Sequence, residues 1–115
     1  MKQSNYDKVR ALTGWHQFMS VMVDNECKKM QSAVDTSKGY MTIKELNEVC
    51  EHTDKLKFLT EQYIDAEMDL VGAAIRYNVP HTSLLEKGKA FEFYKLLEEK
   101  AMMIDKGEVV LIHKN

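Results

Sequence analysis

The sequence predicts an all-α protein, a bundle of about four helices with a short β-type C-terminal tail. Three observations carry this expectation. Apolar residues recur at three- and four-residue steps over most of the chain. Proline occurs once and glycine five times in 115 residues, so long helices are permitted almost throughout. Helix-start signals stand at the heads of the periodic segments: Ser4 or Asn5 before Asp7, and Thr42 three residues before Glu45.

The first helix is expected from Tyr6 to about Val34, with Val9, Leu12, Trp15, Met19, Met22, Val23 and Met30 on its apolar side. Gly14 is a weak point within it. Asp35-Thr-Ser-Lys-Gly39 has the composition of a loop. The Thr42–Glu45 capping box opens a second helix, whose apolar stripe is Ile43, Leu46, Val49 and Cys50 and whose flank carries Glu45, Glu48 and His52. A break around His52–Asp54 starts a third helix, which Asn78-Val79-Pro80 ends near Tyr77. A fourth runs from Thr82 or Ser83 to about Met103 and buries Leu84, Leu85, Phe91, Tyr94, Leu97 and Met102. Residues 1–104 thus read as a single helical domain and 105–115 as a tail. Within the tail, Glu108 to His113 is a β-type run. A lone strand is not stable, so it pairs with a second copy or lies across the helices.

Composition excludes several classes. Hydrophobic residues at 44% and charged residues at 30% give the balance of a soluble globular chain. A net charge of −2 disfavours a strongly electrostatic nucleic-acid binder. The apolar runs are too short to span a membrane, and the opening MKQSNYDKVR lacks the apolar centre of a signal peptide. Cys27 and Cys50 stand far apart, as two free thiols would in a reducing cytosol, so a cytoplasmic location is expected.

The carboxylates are the first candidate site. Glu45 and Glu48 lie one turn apart, and so do Glu61 and Asp65 on the next predicted helix. Antiparallel packing of those helices would gather four oxygen-rich groups, a set that suits Mg²⁺. Lys44-Glu-Leu-Asn-Glu48-Val followed by Glu61-Gln-Tyr-Ile-Asp65 resembles the two acidic motifs of the MazG-like nucleotide pyrophosphohydrolases. Tyr6-Asp-Lys-Val-Arg10 through Trp15-His-Gln-Phe18 is similar to the first helix of their small phage and bacterial members. The similarity spans roughly residues 6 to 95.

The resemblance implies Mg²⁺-dependent hydrolysis of a nucleoside triphosphate, ribo- or deoxyribo-, to monophosphate and pyrophosphate in a dimer or tetramer. It implies Glu45, Glu48, Glu61 and Asp65 as metal ligands, with Glu45 and Glu48 catalytic, and Lys87 on the nucleotide's phosphate. Lys44 and Gln62 depart from the pattern, which has glutamate at both, and Phe91 stands where it has asparagine. Glu61, Asp65 and Asp69 also share one side of a helix, and a solvated face would give the same stripe.

Three other readings stay open. Residues 70–90 resemble a helix-turn-helix of a DNA-binding regulator. In that reading Ala73 and Ala74 make a close helix contact, Asn78 turns the chain, Val79 points inward, and Pro80 to Ser83 open a recognition helix backed by Lys87 and Lys89. Arg76 with His81, and almost equally Arg10 with His16, fit the loose Arg–His spacing of HEPN ribonucleases. Alternatively the chain is a non-catalytic inhibitor or adaptor of phage type that acts by protein–protein contact. Glu67 falls among Tyr63, Ile64, Leu70, Val71 and Ala74 in an apolar arc, where a carboxylate needs a partner.

Overall fold

The computed structural model describes residues 3–34, 39–80 and 89–110. They form three helices: α1 (Asn5–Ala33), α2 (Ile43–Arg76) and α3 (Ala90–Asp105). The protein is all-helical, and no strand occurs among the described residues. Glu108 to Val110 carry no regular structure, so the expected tail strand does not begin there, and its remainder lies outside the described residues. Of the helix expected from Thr82 or Ser83, the described part is α3; Leu84 and Leu85 also lie outside.

The predicted second and third helices are one. α2 runs unbroken for 34 residues. No glycine or proline occurs between Ile43 and Val71, so nothing in that stretch removes a helical hydrogen bond. Thr53, expected to cap a new helix, turns its hydroxyl back to the Val49 carbonyl at 2.8 Å. That is how a threonine is accommodated in mid-helix.

The helix ends follow the sequence closely. At the head of α1 the Asp7 amide donates to Ser4 Oγ at 3.1 Å, an N-cap bond. The Asn5 and Tyr6 amides donate to the two carboxylate oxygens of Asp105 at 3.0 and 2.8 Å, so the end of α3 supplies the rest of the cap. At the head of α2 the Glu45 amide donates to Thr42 Oγ1 at 3.2 Å. α2 closes in a Schellman motif, with Asn78 N–H donating to Ile75 O at 3.3 Å and Val79 N–H to Ala74 O at 2.8 Å. Asn78 takes the left-handed conformation this requires, at φ 57°.

α3 closes the same way at Gly107, φ 75°, with Gly107 N–H to Ile104 O at 3.0 Å and Glu108 N–H to Met103 O at 2.9 Å. Opposite glycine effects follow. Gly107→Ala is expected to lower stability by about 1 kcal/mol, because a Cβ is strained at positive φ. Gly14→Ala is expected to raise it by roughly 0.5–1 kcal/mol, since a methyl group there meets nothing within 4 Å. Urea unfolding of both variants against the parent measures the pair.

The contacts divide the chain into two compact units, Met1–Trp15 with Glu67–Asn115, and His16–Ala66. The core of the first unit is Val9, Leu70, Ala73, Ala74, Tyr77, Val79, Phe93, Tyr94, Leu97 and Ala101. Leu70, Ala74, Tyr94 and Leu97 were expected inside. Phe91 and Met102 were too, yet both are exposed, because α3 turns Phe93 and Ala101 inward in their place. Trp15, expected as a core anchor, is 48% exposed. Thr13 is buried instead, its hydroxyl bonded to Glu98 at 2.9 Å, and Glu98 also pairs with Arg10.

In the second unit Met19, Leu59 and Ala66 are buried together with two polar residues, His16 and Glu26. The His16 ring lies against Tyr63, centroid to centroid 4.9 Å. The stripe expected to be inward on the first part of α2 is turned out: Ile43, Leu46 and Cys50 are exposed, while Val49, His52 and Leu56 are partly covered. Among the described residues no helix is long and apolar enough to cross a membrane.

Candidate functional site

The unbroken α2 sets the geometry of the acidic motifs. With a rise of 1.5 Å and a turn of 100° per residue, Glu45 and Glu61 stand about 24 Å apart along the axis and roughly 160° apart around it. Glu45 and Glu48 therefore lie on the opposite side of α2 from Glu61 and Asp65. The expected antiparallel packing of two helices does not arise within one copy, and these four residues do not fit a single Mg²⁺ there. Glu45 is partly buried and its carboxylate accepts from the Thr42 hydroxyl at 3.1 Å, the cap role. Glu48, Glu61 and Asp65 are exposed. Lys87 lies outside the described residues. Among the described residues no three His, Cys, Asp or Glu side chains are grouped to hold a metal ion.

The turn after α2 has the features read from residues 70–90: buried Ala73 and Ala74, a left-handed Asn78, and Val79 pointing inward. His81, Thr82 and Ser83, the expected start of a recognition helix, lie outside the described residues, and Lys89 is exposed at the head of α3. Of the Arg–His pairs, Arg76 is exposed while His81 is not described. Arg10 is exposed and pairs with Glu98, whereas His16 is 2% exposed and so out of reach of a substrate.

The most developed polar cluster was not among the expected sites. Glu26 of α1 is 2% exposed in the second unit. Its Oε1 lies 2.6 Å from His52 Nδ1 and its Oε2 3.6 Å from Lys55 Nζ, both from α2. The hydrogen bond with His52 holds the Glu26 carboxyl below its ordinary value of 4.5, with burial opposing the shift and the Lys55 charge adding to it. An ionised Glu26 only accepts, so Nδ1 of His52 carries the proton and donates. Nε2 is then the nitrogen left to accept a hydrogen bond, and the His52 side chain is 30% exposed. A carboxylate orienting an imidazole in this way serves general bases and metal-binding histidines alike.

Two signals could have found the cluster. His52 was noted beside Glu48, its neighbour one turn back, but its close partner is Glu26 on the other helix. Glu26 sits seven residues after Met19 and four before Met30, so it occupies an inward position of α1. A carboxylate at an inward helix position needs a partner, and Glu26 is more deeply covered than Glu67. Glu67 itself is partly buried.

Acid should act on two carboxylates. Asp105 is held below its ordinary 3.8, chiefly by the Tyr6 amide it accepts from. For Asp105 and Glu26 alike the folded-state pKa lies below the unfolded one. The stability each contributes is complete above its ordinary value and is lost as pH falls through the depressed one. Thermal midpoints are expected to hold steady from pH 7 to about 5 and to fall below that, less steeply in Asp105→Asn.

Comparison with protein-family models, with curated proteins and with solved structures finds no match.

Proposed function

We propose that the chain is a small helical interaction protein that works by binding polypeptide through apolar helix faces. One observation carries this reading. Among the described residues more large hydrophobic side chains are exposed than buried, including Phe58, Ile64, Met68, Ile75, Phe91 and Leu96. Single exposed hydrophobics are ordinary, but contiguous apolar patches mark interaction surfaces. In the first unit, Leu96 and Met103 of α3 with Val79 and Pro80 line a shallow groove of about 220 Å³, and Glu99 and Lys100 stand at it. An apolar groove with polar neighbours suits a docked helix or extended segment.

Light scattering on the purified chain, with photo-crosslinking from Leu96 in the producing cells, tests the proposal. A defined complex is expected, with itself or with another polypeptide. A chain that stays at 13.3 kDa and crosslinks to nothing ends it.

A second reading keeps the pyrophosphohydrolase resemblance: a MazG-like oligomer that binds nucleotide with Mg²⁺. The solvent exposure of Glu48, Glu61 and Asp65 supports it. Since the two acidic pairs point away from each other on α2, the reading requires carboxylates from different copies. Titration calorimetry with Mg²⁺ and a panel of dNTPs is expected to show binding that Asp65→Ala abolishes. Absence of heat, or an unchanged Asp65→Ala, removes it.

A further inference from the structure

We infer that the partner of the outer face of α2 is a second copy of this chain, paired antiparallel about Gly72. This rests on the reading of the protein as an interaction module and names the occupant of one of its faces. Met68 is 68% exposed and Ile75 63%, and with Gly72 they stand at i, i+4 and i+7 of α2, on one side of the helix. A Cβ added at Gly72 would meet nothing within 4 Å, so the backbone is open to close approach by another helix. The inner side of the same segment is already filled by Leu70, Ala74 and Tyr77.

Charge selects the occupant and its direction. Asp69 and Arg76, both exposed, lie seven residues apart and flank the stripe on the same side. In an antiparallel pair centred beside Gly72, Asp69 of one copy stands next to Arg76 of the other, and the two-fold axis repeats the contact. In a parallel pair the two-fold axis runs along the helices and puts the Asp69 and Arg76 of the two copies on opposite flanks of the contact, so neither charge meets a counter-charge. One face with an acid at one end, a base at the other, and a glycine between two large apolar side chains is self-complementary only in the antiparallel sense.

Sedimentation equilibrium of the full chain over a wide concentration range tests the pairing, with circular dichroism as the check on folding. The parent chain is expected to associate. Met68→Lys, a change at an exposed position, should keep the helical signal and weaken association by at least about tenfold. Asp69→Arg alone and Arg76→Asp alone should each weaken it, and the double swap Asp69→Arg with Arg76→Asp should restore it to near the parent's. A parent chain that remains monomeric overturns the pairing, and so does a double swap no better than either single change. If the chain associates but none of these variants alters it, the pairing falls while the interaction reading stands on another face. A monomeric chain that crosslinks from Leu96 to a different, identified polypeptide has the same meaning.

Discussion

Phe93→Ala is expected to cost about 3–5 kcal/mol of folding stability, while Phe91→Ala, two residues away, costs no more than about 1 kcal/mol. Phe93 is 0% exposed and stands among the largest fully buried side chains. Three of the nine other core residues are alanines, which leaves few bulky neighbours able to collapse into the space. Phe91 is 69% exposed, and its described ring contact is an edge-on approach to Tyr94 at 6.0 Å. Small domains hold only about 5–15 kcal/mol in all. The Phe93 variant is therefore expected to unfold at far lower urea with an unchanged slope, and the Phe91 variant to overlay the parent. The reverse order would mean that α3 is turned the wrong way about its axis.

That pair of residues also shows what was legible in the sequence. Both phenylalanines fit a helical apolar pattern, and Phe91 suits a stripe that begins at Leu84. The choice between them depends on where the first unit places its other helices, which is tertiary information. The local signals are legible: the Ser4 and Thr42 caps, the stop at Asn78-Val79-Pro80, and the inward side of α2 at Leu70 and Ala74. They were legible because each depends on chemistry within a few residues.

The break at His52–Asp54 was read wrongly for a related reason. Thr53 and Asp54 are good caps, but a cap does not end a helix that nothing interrupts. Joining the two predicted helices separated the acidic pairs, so the candidate metal site failed to assemble in one copy through an error of helix continuity. The α1 stripe holds at Val9 and Met19, which are buried, and at Leu12, Met22, Val23 and Met30, which are partly covered; Trp15 alone of its residues is exposed. The same inward face also buries Thr13, His16 and Glu26, which a count of apolar residues leaves out.

Glu26 is the costliest of these inward polar residues to disturb, and breaking its pair should be more damaging than deleting it. Glu26→Ala leaves His52 and Lys55 facing a small void in place of their counter-charge. His52→Ala removes the hydrogen bond to a covered carboxylate and leaves it with the charges of Lys55, at 3.6 Å, and Lys29. Each single change is expected to lower the thermal midpoint markedly at pH 7. The joint replacement Glu26→Met with His52→Leu removes both polar groups and fills the space with apolar atoms, so it is expected to recover most of the loss.

Acid separates this account from one based on packing. The carboxyl is depressed by its partners, so the parent's advantage over Glu26→Gln should be full at neutral pH. It should shrink as pH falls below about 4.5, and vanish once the folded-state carboxyl is protonated. Midpoints of parent and Glu26→Gln that run parallel through that range would show that the pair contributes shape alone. A converging pair of curves would show that the ionised pair stabilises the fold, and a double variant more stable than the parent would show that the pair is nevertheless retained at a stability cost. In that second event His52, whose side chain is 30% exposed, becomes the residue whose purpose must be sought.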